Sequence, residues 1–461
     1  MRPPSSLRYL PLALALAGCA AGPAYQVPAT PQPAAFKEAQ GWAPAAPADA
    51  LERGPWWTLF KDPRLDQLIG QVEVSNQNVA AAVAAYAQAR AQVAQQRAAL
   101  FPSVVLNGSG QRQGGEGGNG AQTSYRLDLG TSWEPDVWGR LRGAVNGATA
   151  SAQASEADLA AARLSAQGEL AANYFVLRQL DAQHALLAST IEGYERVAQI
   201  TRNRFDAGIA AKSDVLQADT QLANARIDDL SLTRQRAQYE HAIAILVGKA
   251  PADFALAPAP WQVDVPEIPL VLPSTLLERR PDIAAAERRV AAANAAIGVA
   301  RSAYFPSFGL SGAYGTGASK VADLFSLSNA VWSFGLSAAQ TLFNAGATKA
   351  GVDSAQAQHQ AAVARYRQSV LDAFGDVENQ LSATRVLSQQ QTLRQQASAA
   401  AGQVEQQMLN RYKAGQVSYT EVVQAQATAL TARRALVQAQ SDRLTTAVAL
   451  IQAIGGGWHA Q

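Results

Sequence analysis

Residues 124–134 read SYRLDLGTSWE, and the alternation inside this stretch decides what kind of protein the chain encodes. Tyr125, Leu127, Leu129, Thr131 and Trp133 share one parity; Ser124, Arg126, Asp128, Gly130, Ser132 and Glu134 share the other. A period of two belongs to an extended strand whose two faces meet different surroundings. Three further segments carry the pattern: SVVLNGSGQR (103–112), SFGLSGAYG (307–315), with Phe308, Leu310 and Tyr314 on one face, and VWSFGLSAA (331–339), with Trp332, Phe334 and Leu336 set against Ser333, Gly335 and Ser337. GGEGGNG (114–120) links 103–112 to 124–134 as a hairpin. Aromatic and aliphatic side chains on one face, with Ser, Gly or charge on the other, is the pattern of a transmembrane β-barrel strand. Arg126, Asp128 and Glu134 are expected to face water, and Tyr125, Leu127, Leu129 and Trp133 lipid or its interface. Four strands cannot close a barrel, and an open edge in hydrocarbon leaves backbone groups unsatisfied, so the chain is expected to oligomerise. Two copies would give eight strands and a filled interior; three would give twelve and an aqueous lumen, which the small and polar inward positions favour.

The strands sit in a chain written twice. RFDAGIAAKSDVLQA (204–218) is matched by RYKAGQVSYTEVVQA (411–425), which carries Gly208 onto Gly415, Asp214 onto Glu421 and, further on, Gly248 onto Gly455 without a gap. ARAQVAQQRAALFPS (89–103) pairs likewise with ANAAIGVARSAYFPS (293–307). The expected division is a first repeat at 63–254, a Pro-rich equatorial segment at 255–273 and a second repeat at 274–461. This places a single two-fold repeated architecture ahead of the several domains that length alone suggests.

Between the strand pairs the period becomes helical. Residues 64–100 are expected to form one helix ending at Phe101-Pro102, because Pro forces the residue before it out of helical geometry. Two very long helices follow the hairpins, from about Arg140 to Asn203 and from about Ala347 to Asn410, each about 95 Å at 1.5 Å per residue. Rich in Ala and Gln, they are too long to be stable alone and are expected to pack laterally into a coiled-coil-like sheath. Gly208 and Gly415 suit the left-handed position just past a helix end and mark the tip turns. Ser418 and Glu421 are spaced as a capping box, and Ser213 and Asp214 are expected to cap and charge the start of the other returning helix. Pro281 is expected at a helix start.

The N-terminus, MRPPSSLRYLPLALALAGCA, has Arg2 and Arg8, a short apolar run and then Gly18-Cys19. It reads as a lipoprotein signal peptide over 1–18, with Cys19 the lipidated first residue of the mature chain. Cys19 is the only cysteine, which excludes a disulfide within the chain. Residues 19–62 read as a lipidated Pro/Ala-rich tether. No uninterrupted apolar span of transmembrane-helix length follows.

Composition excludes other classes. A net charge of +2 with no basic stripe excludes nucleic acid as the partner. His184, His241, His359 and His459 lack metal-ligand spacing, Asp228-Asp229 reads as a solvated acidic step, Gly248-Lys249 is no phosphate loop and GGEGGNG opens no helix. Neither enzyme activity nor a cofactor is expected, beyond covalent lipid on Cys19.

The lipobox, WWTLFKDPRLDQLI (56–69), LERRPDIAAAERRV (277–290), both FPS steps, both AG turns and ALIQAIGGGW (449–458) together resemble the TolC-like outer-membrane factors, in the lipoprotein branch called NodT or OprM type. The resemblance spans the mature chain. It implies an α+β membrane protein, mostly α: a homotrimer with a twelve-stranded barrel, four strands per protomer, continued by a long periplasmic α-helical barrel. Such a duct would serve a tripartite efflux pump with a periplasmic adaptor and an RND-type inner-membrane transporter. Metal-cation efflux, type I protein secretion and a structural coiled-coil periplasmic lipoprotein are the alternatives. The resemblance also implies a periplasmic gate with candidates at Ser213, Asp214, Tyr412, Lys413, Glu421 and Gln424. Val417 and Gln424 stand where an Arg and a second Asp can occur, so a less charged gate is expected, with Arg411 or Lys413 supplying the cation.

Overall fold

The computed structural model describes residues 22–31, 33–39, 55–114, 121–261, 264–266, 268 and 280–457. The signal peptide, Cys19, the link beyond Gly114, part of the Pro-rich segment and the last four residues lie outside them. Among the described residues the chain runs α1 (Pro63–Ser75), α2 (Gln77–Ala98), β1 (Ser103–Gln113), β2 (Gln122–Trp133), α3 (Arg140–Asp206) and α4 (Lys212–Leu246). It continues through α5 (Pro281–Ser302), β3 (Ser307–Ala318), β4 (Ala330–Ala339), α6 (Ala347–Lys413) and α7 (Tyr419–Ala453). The lengths recur in order: α2 and α5 have 22 residues each, α3 and α6 67 each, α4 and α7 35 each.

The ends of the long helices recur too. Past α3, α4, α6 and α7, glycines 208, 248, 415 and 455 all take positive φ. At each end the glycine N–H reaches back three residues and the next N–H five: to Phe205 and Arg204, Ile245 and Ala244, Tyr412 and Arg411, Gln452 and Ile451. This is the Schellman arrangement, in which a residue without Cβ satisfies carbonyls that the helix leaves open.

Among the described residues, one compact unit comprises 22–30, 84–114, 121–156 and 285–368. Its centre is a four-stranded antiparallel sheet in the order β1-β2-β3-β4. The register puts Leu106 beside Leu129, Leu129 beside Tyr314, and Tyr314 beside Trp332, while Ser109 meets Arg126 and Ser132 meets Ser311. Because paired residues of an antiparallel ladder share a face, the four alternations align into one mainly apolar, aromatic face and one mainly small and polar face, with Arg112 on the first and Val105 and Val331 on the second as exceptions. β2 stops at Trp133, and the Glu134 carboxylate just past it is held by the Arg140 guanidinium at 2.6 and 3.1 Å. One described stretch of the expected tether, 22–30, is docked along its length. Asn294 donates to the Pro23 carbonyl at 3.0 Å, Arg367 to that of Ala29 at 3.2 Å, and the Tyr25 hydroxyl bonds the Glu287 carboxylate. Gly22 and Gly298 approach backbone to backbone.

The other unit comprises residues 31–83, 157–284 and 369–461. Trp56, Phe60, Leu65, Leu68 and Ile69 of the WWTLFKDPRLDQLI motif are buried, and so is Val72 just beyond it. Asp62 caps α1 by accepting from the Arg64 and Leu65 N–H groups and takes a 2.6 Å bond from the Tyr174 hydroxyl. Burial and that bond push Tyr174 up to about 12. The expected single helix over 64–100 is two, divided at the buried Asn76. Its side-chain oxygen accepts from the Asn78 and Val79 N–H groups while its amide donates to the Leu246 carbonyl at 2.8 Å. An Asn offering acceptor and donor at once explains a break that apolar spacing does not register. The segment 254–257 is tied down by charge: Arg178 and Arg236 bracket Asp181 at 2.9 and 2.7 Å and donate to the carbonyls of Ala257 and Leu256.

Candidate functional site

Two hairpin turns, between α3 and α4 and between α6 and α7, carry the residues that the sequence singles out. Each leaves its long helix through a left-handed glycine, Gly208 or Gly415, and enters the returning helix through an extended residue, Ala211 or Ser418. Ser418 and Glu421 meet as expected, the carboxylate accepting from the Ser418 N–H at 2.8 Å and from its hydroxyl at 3.2 Å. The first turn differs from expectation. Ala211 occupies the cap, which has no side-chain acceptor, and Ser213 lies inside the exposed first turn of α4. Asp214 does sit in that first turn, where it complements the helix dipole.

The two turns form one cluster. Tyr412 is only 3% exposed and packs with Val197, Ala198, Ala218, Tyr419 and Val422. Its hydroxyl is 3.3 Å from Thr201 Oγ1, and its ring centroid is 5.4 Å from that of Tyr419. Arg204 stacks its guanidinium 4.7 Å from the Tyr412 ring centre and donates to the Tyr412 carbonyl at 2.8 Å. Thr420 donates to Gln217 across the hairpins at 3.3 Å. Burial pushes the Tyr419 hydroxyl up, and Tyr412, Tyr194, Asp214 and Asp219 add to it.

The gate candidates therefore divide. Tyr412 is enclosed; Ser213, Lys413, Glu421 and Gln424 are exposed; Asp214 is half-buried. Both expected cations, Arg411 and Lys413, are exposed, and the cation on Tyr412 is Arg204, the repeat counterpart of Arg411. Sequence reading passed over Arg204, Thr201 and Tyr419. Arg204 and Tyr419 were in view within the doubled phrase, whereas Thr201 carries no sequence signal. Away from the turns, Asp228 is paired with Arg434 at 3.0 Å, and Asp229 Oδ1 lies 2.6 Å from His184 Nδ1 without hydrogen-bond geometry. Pairing on an exposed helix surface positions neighbours more than it stabilises.

This chemistry can hold two hairpins together or let them part. Among the described residues no three His, Cys, Asp or Glu side chains group to hold a metal, and no helix is long and apolar enough to cross a membrane, which says nothing of the strands.

The family profile described as outer membrane efflux protein matches twice, over residues 68–249 and 272–456. The chain is 33% identical to the probable efflux pump outer membrane protein TtgC of Pseudomonas putida, over 97% of this chain and 95% of that one. It is 30% identical to the cation efflux system protein CusC of Escherichia coli, covering 97% of each. The solved outer-membrane channel OprN superposes with a TM-score of 0.87 at 31% identity, over 95% of this chain and all of that one. The chain belongs to the outer membrane efflux protein family, whose members are channels of the outer membrane with a mostly helical fold.

Proposed function

We propose that this outer membrane efflux protein works as a homotrimer, in which three four-stranded sheets close a twelve-stranded barrel and the long helices continue it as a periplasmic duct. The observation that carries the reading is the sheet. Aliphatic side chains of all four strands, joined by aromatic ones from β2, β3 and β4, share one face, and Ser, Gly, Asn, Arg126 and Asp128 dominate the other, where Val105 and Val331 are the apolar exceptions; β1 and β4 are left as open edges. An apolar face with unpaired edges suits lipid only if other copies complete the ring. The duct passes small molecules, drugs and toxic compounds outward without chemistry of its own. An inner-membrane transporter of RND type selects the cargo, and a periplasmic adaptor joins the two.

Cys19 is read as a lipid anchor on a protein that the barrel already fixes in the membrane. Cys19→Ser behind a non-lipoprotein signal peptide is therefore expected to leave trimers and most efflux intact. The hairpin turns form the periplasmic mouth, and the cluster around Tyr412 holds it narrow at rest.

The test is topological. In the outer membrane, a water-soluble thiol reagent should label cysteines placed at 126 or 128 and largely spare one at 127. Equal labelling of all three would mean that β2 does not separate water from lipid.

A further inference from the structure

Trp138 and Phe305 make a clasp that the chain completes at one pair of strand ends and leaves open at the other. Trp138 lies in the loop from β2 to α3, and Phe305 lies just before β3. Their rings stack with centroids 4.8 Å apart and planes 20° apart, and the Trp138 indole donates to the Pro306 carbonyl at 2.7 Å. The contact locks the end of β2 to the beginning of its neighbour β3.

The same parts recur around the sheet edges. Phe101-Pro102 precedes β1 as Phe305-Pro306 precedes β3, and the loop 340–346 leads from β4 to α6 as the loop 134–139 leads from β2 to α3. In that second loop Leu342-Phe343 corresponds to Val137-Trp138, each pair shortly ahead of left-handed backbone, at Ala345-Gly346 and at Gly139. Yet Phe101 is 70% exposed, Leu342 89% and Phe343 88%. One bare apolar side chain is ordinary. Three of them, at the places where a repeated unit elsewhere makes a stacked contact and beside the two open strand edges, share one explanation.

We propose that Leu342 and Phe343 of one copy pack on the Phe101-Pro102 step of the next, making between copies the clasp that Trp138 and Phe305 make within one. The proposal rests on the trimeric reading above and specifies the contact that closes the ring. A head-to-tail contact of this kind joins unlike surfaces and excludes a two-fold pair; repeated at a rotation that closes after three copies, it makes a ring. The Phe343 side chain has no N–H to repeat the indole bond, so the clasp between copies is wholly apolar and is the weaker of the two. Lipid is the competing occupant of these side chains.

Full-length F101C, F343C and F101C/F343C are produced in the outer membrane and treated with a short bismaleimide, and the size of the untreated particle is measured in parallel. The expected result is a covalent ladder ending at three copies for the double variant and none for either single variant, because Phe101 meets Phe343 and not itself. A three-copy particle without a ladder, although both cysteines react with a monofunctional maleimide, would overturn the clasp and leave the trimer standing; a particle of another size would overturn both. As a second measurement, Phe101→Asp should lower the temperature at which the assembly dissociates in detergent, and adding Phe343→Lys should restore part of the loss. Dissociation of Phe101→Asp at the parent temperature would also sink the proposal.

Discussion

Arg204, in the last turn of the first long helix, donates at 2.8 Å to the carbonyl of Tyr412 in the last turn of the second and lies over its ring. The contact fastens one hairpin to the other at the level of their turns. Arg204 is half-buried, so the stacking is worth about 1 kcal/mol, between the exposed and desolvated limits for such pairs. We expect Arg204→Ala to raise single-channel conductance in planar bilayers and to sensitise cells to antibiotics too large for ordinary porins. Tyr412→Phe loses only the 3.3 Å contact with Thr201 and should have the smaller effect. If Tyr412→Phe opened the channel more than Arg204→Ala, the fastening would have to lie elsewhere.

Glu421 is exposed and accepts two bonds from Ser418 at the start of α7. Glu421→Gln keeps the geometry of the cap and removes the charge. The assembly should therefore dissociate within a few degrees of the parent, while block by divalent cations added from the turn side weakens. Glu421→Ala should also lose about 1 kcal/mol of helix capping. Unchanged block in both variants would reduce Glu421 to a cap.

Asp136 precedes α3 and accepts from the Leu141 and Arg142 N–H groups at 2.9 and 2.8 Å and from the Arg142 guanidinium at 3.1 Å. Burial by itself would raise this carboxyl, but the backbone bonds and the Arg142 charge outweigh it and hold it below its ordinary value. A carboxyl depressed in the folded state contributes stability that is fully present above the unfolded value of about 3.9 and lost as pH falls through the folded one. The deficit of Asp136→Asn relative to the parent should accordingly be constant from neutral pH down to about 5 and shrink at more acid pH. Thermal unfolding of both proteins across that range measures it.

Asn76 caps α2 and satisfies the Leu246 carbonyl from a buried position. Asn76→Ala should cost about 2 kcal/mol, roughly half from the lost cap and half from the unpaired carbonyl. Asn76→Asp keeps the cap but not the donor, so it should separate the two contributions in a comparison of dissociation temperatures.

Much of this protein was legible in its sequence because the deciding signals are local and periodic. Alternation of side chains sets strand faces through the pleat alone, so Leu127 and Asp128 had to part whatever the rest of the chain did. The long Ala- and Gln-rich stretches between proline and glycine could only be helices, and a glycine at each end, such as Gly208 or Gly415, announced where they stop. The duplication made every such signal appear twice. What the sequence left undecided depends on partners distant along the chain. Asn76 divides a helix because Leu246 offers a carbonyl to its amide, and the tether segment is docked because Glu287, Asn294 and Arg367 receive it. Arg204, and not Arg411 or Lys413, meets Tyr412 for the same reason: two residues that are equivalent in a repeat become different once tertiary packing decides which one faces the neighbouring hairpin.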